Sequence, residues 1–124
     1  MEIYSEGHHV LRGNEQAVFR GNATATLHEN TWGWFYDATR AVLHNHAQAY
    51  FYSKSQAVLH DYAQAYLHDK SQVDLHDEAF ATLHDRARAN VFDEASAKLY
   101  DNTRAELYGG LNVQFYDKAH AVED

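Results

Sequence analysis

Residues 57–67 read Ala-Val-Leu-His-Asp-Tyr-Ala-Gln-Ala-Tyr-Leu, and the same order of apolar and polar positions recurs every eight residues along the chain. Cut into octads from residue 1, with positions labelled a to h, the sequence gives the consensus Ala-x-Leu-His/Tyr-Asp-x-Ala-x. Position c is Ile3, Leu11, Phe19, Leu27, Phe35, Leu43, Phe51, Leu59, Leu67, Leu75, Leu83, Val91, Leu99, Leu107 and Phe115, aliphatic or aromatic throughout. Position a is mostly Ala, g is mostly Ala, Ser or Thr, and e is mostly Asp. At about 100° per residue, a helix would scatter a, c and g around its circumference, so no apolar stripe forms. Along g-h-a-b-c, small or apolar residues alternate with variable ones, which predicts a five-residue strand with one buried face. Positions d-e-f then carry a corner. There Asp, Asn, Gly and Ser tolerate unusual dihedrals and are expected to bond local backbone N–H groups.

A second periodicity sets the architecture. Over residues 19–59, c alternates Phe and Leu, and from 28 to 60 d alternates His and Tyr; from 39 to 79, g alternates a hydroxyl residue with Ala. Two strand environments therefore take turns, and residues sixteen apart belong side by side. A flat meander would leave the a, c, g face uncovered. A two-sheet parallel β-solenoid with 16 residues per coil covers it, each coil giving one strand to each sheet. Residues 1–124 are then a single all-β domain of 7–8 coils, in register from Met1. The expected interior is thin, with large c side chains facing small g residues and a facing a. At the usual spacing of ~4.8 Å between strands the rod is roughly 35 to 40 Å long.

The octads Ala41-Val-Leu-His-Asn-His-Ala-Gln48, Ala57-Val-Leu-His-Asp-Tyr-Ala-Gln64 and Ala97-Lys-Leu-Tyr-Asp-Asn-Thr-Arg104 resemble the Val/Ala-x-Ala-Tyr-Asp/Gly-Asn/Ser-Ala-x arrays of uncharacterised bacterial and phage octapeptide-repeat proteins. The resemblance spans nearly the whole chain, although this sequence has Leu or Phe at c where those arrays often have Ala. It implies a fold and brings no catalytic residue with it.

Composition narrows the chemistry. Ten Lys and Arg against eighteen Asp and Glu leave a net charge of −8, which argues against a general nucleic-acid surface, because such affinity comes from neutralising phosphates. The chain has no cysteine, hence no thiolate chemistry, disulfide or Cys-ligated zinc. Its opening residues lack a basic segment followed by an apolar one, and no run reaches membrane-spanning length, so a cytoplasmic location is expected. The Asn22-Ala23-Thr24 sequon would matter only in a secreted protein.

The histidines fall in two columns. One runs His28, His44, His60, His76, continued by Phe92 and Tyr108; the other runs Tyr36, Tyr52, His68, His84, Tyr100, Tyr116. Interchange with Tyr and Phe points to stacking, since a metal site needs converging donors and tolerates Phe poorly. Protonation near the reference value of ~6.5 would make stacked imidazoles repel. The Asp series at e (Asp61, Asp69, Asp77, Asp85, Asp93, Asp101) lacks the glycine-rich loops of a calcium roll and reads as turn chemistry. No metal site and no cofactor are expected. No nucleophile elbow, phosphate loop or His-Glu-x-x-His is present, and isolated polar residues on a convex rod do not make a catalytic cleft, so no enzymatic activity is expected.

The candidate contact surface lies at h, b and d of alternate strands: Trp32, Trp34 and Tyr36; Tyr50 and Tyr52; Tyr66; and Phe80. An aromatic panel on one flat face marks a protein interface, with self-association as a homodimer the leading expectation. A carbohydrate platform and an ice-binding face are weaker alternatives. Paired hydroxyls for the latter occur only at Thr24 and Thr26. From another class comes an acidic inhibitor of a basic macromolecular partner, as in phage accessory or immunity proteins. Position f carries Lys54, Lys70, Arg86, Asn102 and Lys118 along one edge and Tyr62, Glu78 and Glu94 along the other. Glu15 at a g position and Glu123 at a c position are expected to point inward at the terminal strands and to discourage edge-to-edge growth.

Overall fold

The computed structural model describes residues 2–109 and 112–122. It contains β1 (Glu2–Tyr4), β2 (His8–Leu11), β3 (Gln16–Phe19), β4 (Thr24–Leu27), β5 (Trp32–Phe35), β6 (Arg40–Leu43), β7 (Gln48–Phe51) and β8 (Gln56–Leu59). The second half adds β9 (Gln64–Leu67), β10 (Gln72–Leu75), β11 (Phe80–Leu83), β12 (Arg88–Val91), β13 (Ser96–Leu99), β14 (Arg104–Leu107), β15 (Asn112–Phe115) and β16 (His120–Ala121). Odd strands form one eight-stranded parallel sheet in the order β1-β3-β5-β7-β9-β11-β13-β15, and even strands form the second in the same progressive order. The protein is a two-sheet parallel β-solenoid of about seven turns with sixteen residues per coil. Gln72, for example, pairs with Gln56 on one side and Arg88 on the other.

Inside, the c column of the odd sheet stacks Phe19 on Phe35 and Phe35 on Phe51, with centroids 4.6 and 4.8 Å apart, and continues as Leu67, Leu83 and Leu99, all fully buried. The even sheet contributes Leu27, Leu43, Leu59, Leu75 and Val91, with alanines filling most a positions between. Gly33 replaces Ala in that ladder for a steric reason. A Cβ there would lie 2.5 Å from Cε2 of Phe35 and 3.1 Å from Cδ2 of Leu27, which reaches across from the even sheet. Bulky c residues therefore lean over a as well as facing g, a closer interlock than a pairing of c with g and a with a.

From β2 to β15 the strands are four residues, h to c. Position g is buried from Ala23 to Thr103 but closes the corner instead of extending the strand, because its N–H bonds the d carbonyl three residues back, as from Ala63 to His60 at 3.2 Å. Where g is Thr31, Thr39, Ser55, Ser71 or Thr103, its hydroxyl donates to the same carbonyl at 2.7–2.9 Å, so this buried oxygen never lacks a partner. The residue at e takes a positive φ of 55–63° in ten successive corners from Glu29 to Asp101, a conformation that Asp and Asn accept more readily than most side chains.

The Asp carboxylates do not bond their own corner. Each reaches to the coil before: Asp77 Oδ2 accepts the Asp61 N–H at 3.0 Å, Asp93 accepts from Asp77 at 3.0 Å, and Asp85 from Asp69 at 3.0 Å. Asn45 does the same for Glu29 through Oδ1 at 2.9 Å. The column thus ties coils together, whereas the octad pattern alone predicts a bond within each turn.

The first coil departs from register. β1 pairs with β3 at an offset of fifteen, matching Ile3 with Val18 and Tyr4 with Phe19. A one-residue slip exchanges the two faces of a strand. Ile3 is consequently 58% exposed, and Tyr4 takes the inward place, with its ring 5.6 Å from Phe19 and 3.7 Å from His9. Glu15 is not an inward charge either. It is exposed, and its carboxylate accepts the Arg12 N–H at 2.8 Å. Glu123 lies outside the described residues.

Candidate functional site

The outward positions of the odd sheet form three columns. In the b column Trp34, Tyr50 and Tyr66 lie on successive strands β5, β7 and β9. Trp32 from the h column leans into them. Ring centroids are 6.0 Å apart for Trp34 and Tyr50, 5.0 Å for Tyr50 and Tyr66, 5.9 Å for Trp32 and Tyr50, and 6.1 Å for the two tryptophans. Interplanar angles of 13–24° make this one continuous offset stack. Tyr36 and Tyr52 stack separately at 5.0 Å in the d column, which passes into His68, His84, Tyr100 and Tyr116 at 4.8–5.1 Å. Phe80 stands apart between Gln64 and Ser96, and among the described residues no ring stacks on it.

Parallel pairing in exact register causes these columns. Identical positions recur at ~4.8 Å, close to the thickness of a tilted aromatic ring, so each ring covers the face of the next. The panel residues are all half-buried as a result. What they present outward is ring edges, indole N–H groups and phenolic hydroxyls. Among the described residues, the hydroxyls of Tyr36, Tyr50, Tyr52 and Tyr66 have no partner within the chain. Burial, assisted by Tyr36, Tyr50 and Asp69, holds the Tyr52 phenol above its ordinary value, so it remains a neutral donor well past neutral pH.

On the even sheet the imidazoles of His28, His44, His60 and His76 stack at 5.1 Å and hand over to Phe92 at 4.7 Å. Burial, then the charges of Arg12 and His44, hold His28 below the usual imidazole value against the opposing pull of Glu29. A feature invisible in the octad is the carboxylate beside four of the rings, one coil and one residue on. His60 Nδ1 lies 3.7 Å from Asp77, His76 3.8 Å from Asp93, His68 3.9 Å from Asp85 and His84 3.6 Å from Asp101. Among the described residues no three His, Asp or Glu side chains gather where they could hold a metal ion. Stacking explains this, because parallel rings aim their nitrogens the same way instead of at a common centre.

The b column of the even sheet is polar or small, with Thr26, Val42, Val58, Asp74, Asn90 and Glu106, and Asn90 donates to Asp74 at 2.8 Å. The two faces of the solenoid are therefore unlike: one carries the aromatic stack, the other smaller side chains that pass from Thr26, Val42 and Val58 to Asp74 and Asn90. Comparison with known proteins gave no matching family model, no matching curated protein and no matching solved structure.

Proposed function

We propose that this protein is a non-catalytic binding scaffold and that its contact surface is the odd-sheet face centred on Trp34, Tyr50 and Tyr66, flanked by Trp32, Tyr36 and Tyr52. The supporting observation is the unbroken four-ring stack on adjacent parallel strands, capped by hydroxyls with no partner among the described residues. Apolar bodies with polar tips suit a protein partner, and Trp and Tyr lose little side-chain entropy when one docks. A sugar would need open ring faces, whereas these are covered by their neighbours. The partner we favour is a second copy laid face to face, in which the same stack serves both sides of a two-fold contact. Phe80, lacking a stacking neighbour, belongs to the rim. The octads likewise favour grouping the chain with the octapeptide-repeat arrays they resemble.

At high salt, where exposed charge contacts are screened, Trp34→Ala combined with Tyr50→Ala should reduce the sedimentation coefficient to that of a monomer and leave the strand signal in circular dichroism intact. An unchanged coefficient would overturn the dimer.

A further inference from the structure

Of the ten Lys and Arg residues, seven (Arg40, Lys54, Lys70, Arg86, Arg88, Arg104 and Lys118) occupy two neighbouring columns at one corner of the solenoid. These are position f of the turns that follow odd strands and position h of the even strands that come next. Between the columns runs a groove of about 730 Å³ lined by Lys54, Lys70, Arg86, Arg88 and Arg104, with amide side chains between them and no carboxylate. Among the described residues, none of these cations is engaged in an ion pair; the only pairs join His to Asp. A chain of net charge −8 thus keeps a row of unpaired cations along one edge.

The opposite corner has the complementary row. Its f positions are Tyr62, Glu78 and Glu94, beside Asp61, Asp77 and Asp93 at e. Tyr62 is 53% exposed and rests on His46 at 5.4 Å. Lys54 and Tyr62 belong to one coil, Lys70 and Glu78 to the next, and Arg86 and Glu94 to the one after, each pair eight residues apart on opposite edges. A second copy displaced sideways, parallel and without axial shift, brings Tyr62 to Lys54, Glu78 to Lys70 and Glu94 to Arg86. Each meeting is favourable: an ammonium over a ring, then two charge-assisted contacts.

Pitch selects this occupant over other anions. Both edges repeat at the strand spacing of ~4.8 Å, so a match at one rung is a match at all. An extended peptide presents same-side carboxylates about every 6.8 Å, and one DNA strand presents phosphates about every 3.4 Å, so neither keeps step. The opposing term is the approach of Asp69 to Asp77 and of Asp85 to Asp93. These carboxylates are shorter than the f side chains and already hold the N–H groups of Ser53, Asp61, Asp69 and Asp77. Repulsion between the net charges is screened beyond about 8 Å at physiological ionic strength.

We infer that the two corners of this protein are complementary docking edges, the Lys54–Lys70–Arg86 column of one copy seating the Tyr62–Glu78–Glu94 column of a second copy laid parallel beside it. The contact is heterologous and does not close, so it builds rows of rods with coplanar sheets. Individual exposed pairs are weak, and the row forms through their number. The inference is independent of the face-to-face dimer.

The test is sedimentation at low and high salt in the Trp34→Ala/Tyr50→Ala background, so that the aromatic face does not report. The parent in that background should show a mass that rises with concentration and falls with added salt. Lys70→Glu/Arg86→Glu should abolish the rise, and so should Glu78→Lys/Glu94→Lys, although the latter brings the net charge closer to zero. Combining all four substitutions restores complementarity with the net charge unchanged and should restore the salt-sensitive rise. The inference is overturned if the parent stays monomeric, if either half-swapped protein associates like the parent, or if the fully swapped protein, shown to be folded by circular dichroism, remains monomeric.

Discussion

Phe51 and Phe115 occupy the same column of the same sheet, yet Phe51 is fully buried and Phe115 is 37% exposed. Leu99 and Leu107 differ likewise, at 0% and 38%. The residues are equivalent in the octad, and what separates them is neighbours. Phe51 has Phe35 above and Leu67 below, whereas among the described strands β15 pairs only with β13, and β16 covers Arg104 and Ala105 without reaching Leu107. In a solenoid each coil is stabilised by the two that touch it, so identical side chains contribute differently according to their rung.

That difference can be broken most directly by truncation. Phe51→Ala should cost about 3–5 kcal/mol, while Phe115→Ala, which leaves little cavity, should cost roughly 1 kcal/mol or less, both measured from urea unfolding midpoints. Equal losses would mean that the terminal coil is covered in solution. A smaller effect sharpens the account of the inner coils. Gly33→Ala should destabilise by about 1–3 kcal/mol, although Ala is the residue on both neighbouring rungs, Ala17 and Ala49, because the added methyl meets Phe35 and Leu27. The smallest effect asks whether neighbour coverage matters on the outward columns. Because the folded state holds His28 below its unfolded value of ~6.5, the unfolded chain binds the proton more readily. The stability contributed by this group is present above that value and is lost as pH falls through it toward the lower folded one. His28→Phe, which copies Phe92 further along the column, should flatten this part of the acid slope in urea titrations as pH falls below about 6.5.

The sequence carried the architecture because every rung repeats its message. Strict alternation around c, and the alternation of Phe with Leu at period sixteen, leave one arrangement that covers both buried faces. Local departures were harder to read. Nothing in Glu-Ile-Tyr distinguishes inward Ile3 from inward Tyr4; the slip depends on the stacking of Tyr4 with His9 and Phe19, a tertiary contact. Glu15 matched an inward position by count but found a backbone N–H at the surface, because a carboxylate gains more from that bond than from a buried site. The Asp column was recognised as corner chemistry, yet its partner lies sixteen residues away, beyond any local pattern. Of the panel residues, Trp32, Trp34, Tyr50 and Tyr66 come together as expected from their columns. The isolation of Phe80 follows from Gln64 and Ser96 beside it and was legible in the same register. Whether ring faces or ring edges point outward was not, since tilt depends on strand spacing and packing rather than on residue type.

Among the described residues, the corner carboxylates close amides of the coil before them and none of the coil after. A turn whose following coil is missing therefore leaves its left-handed N–H to water. Each corner is thus completed only by the coil that follows it in the chain, a zipper whose every tooth is locked by its successor.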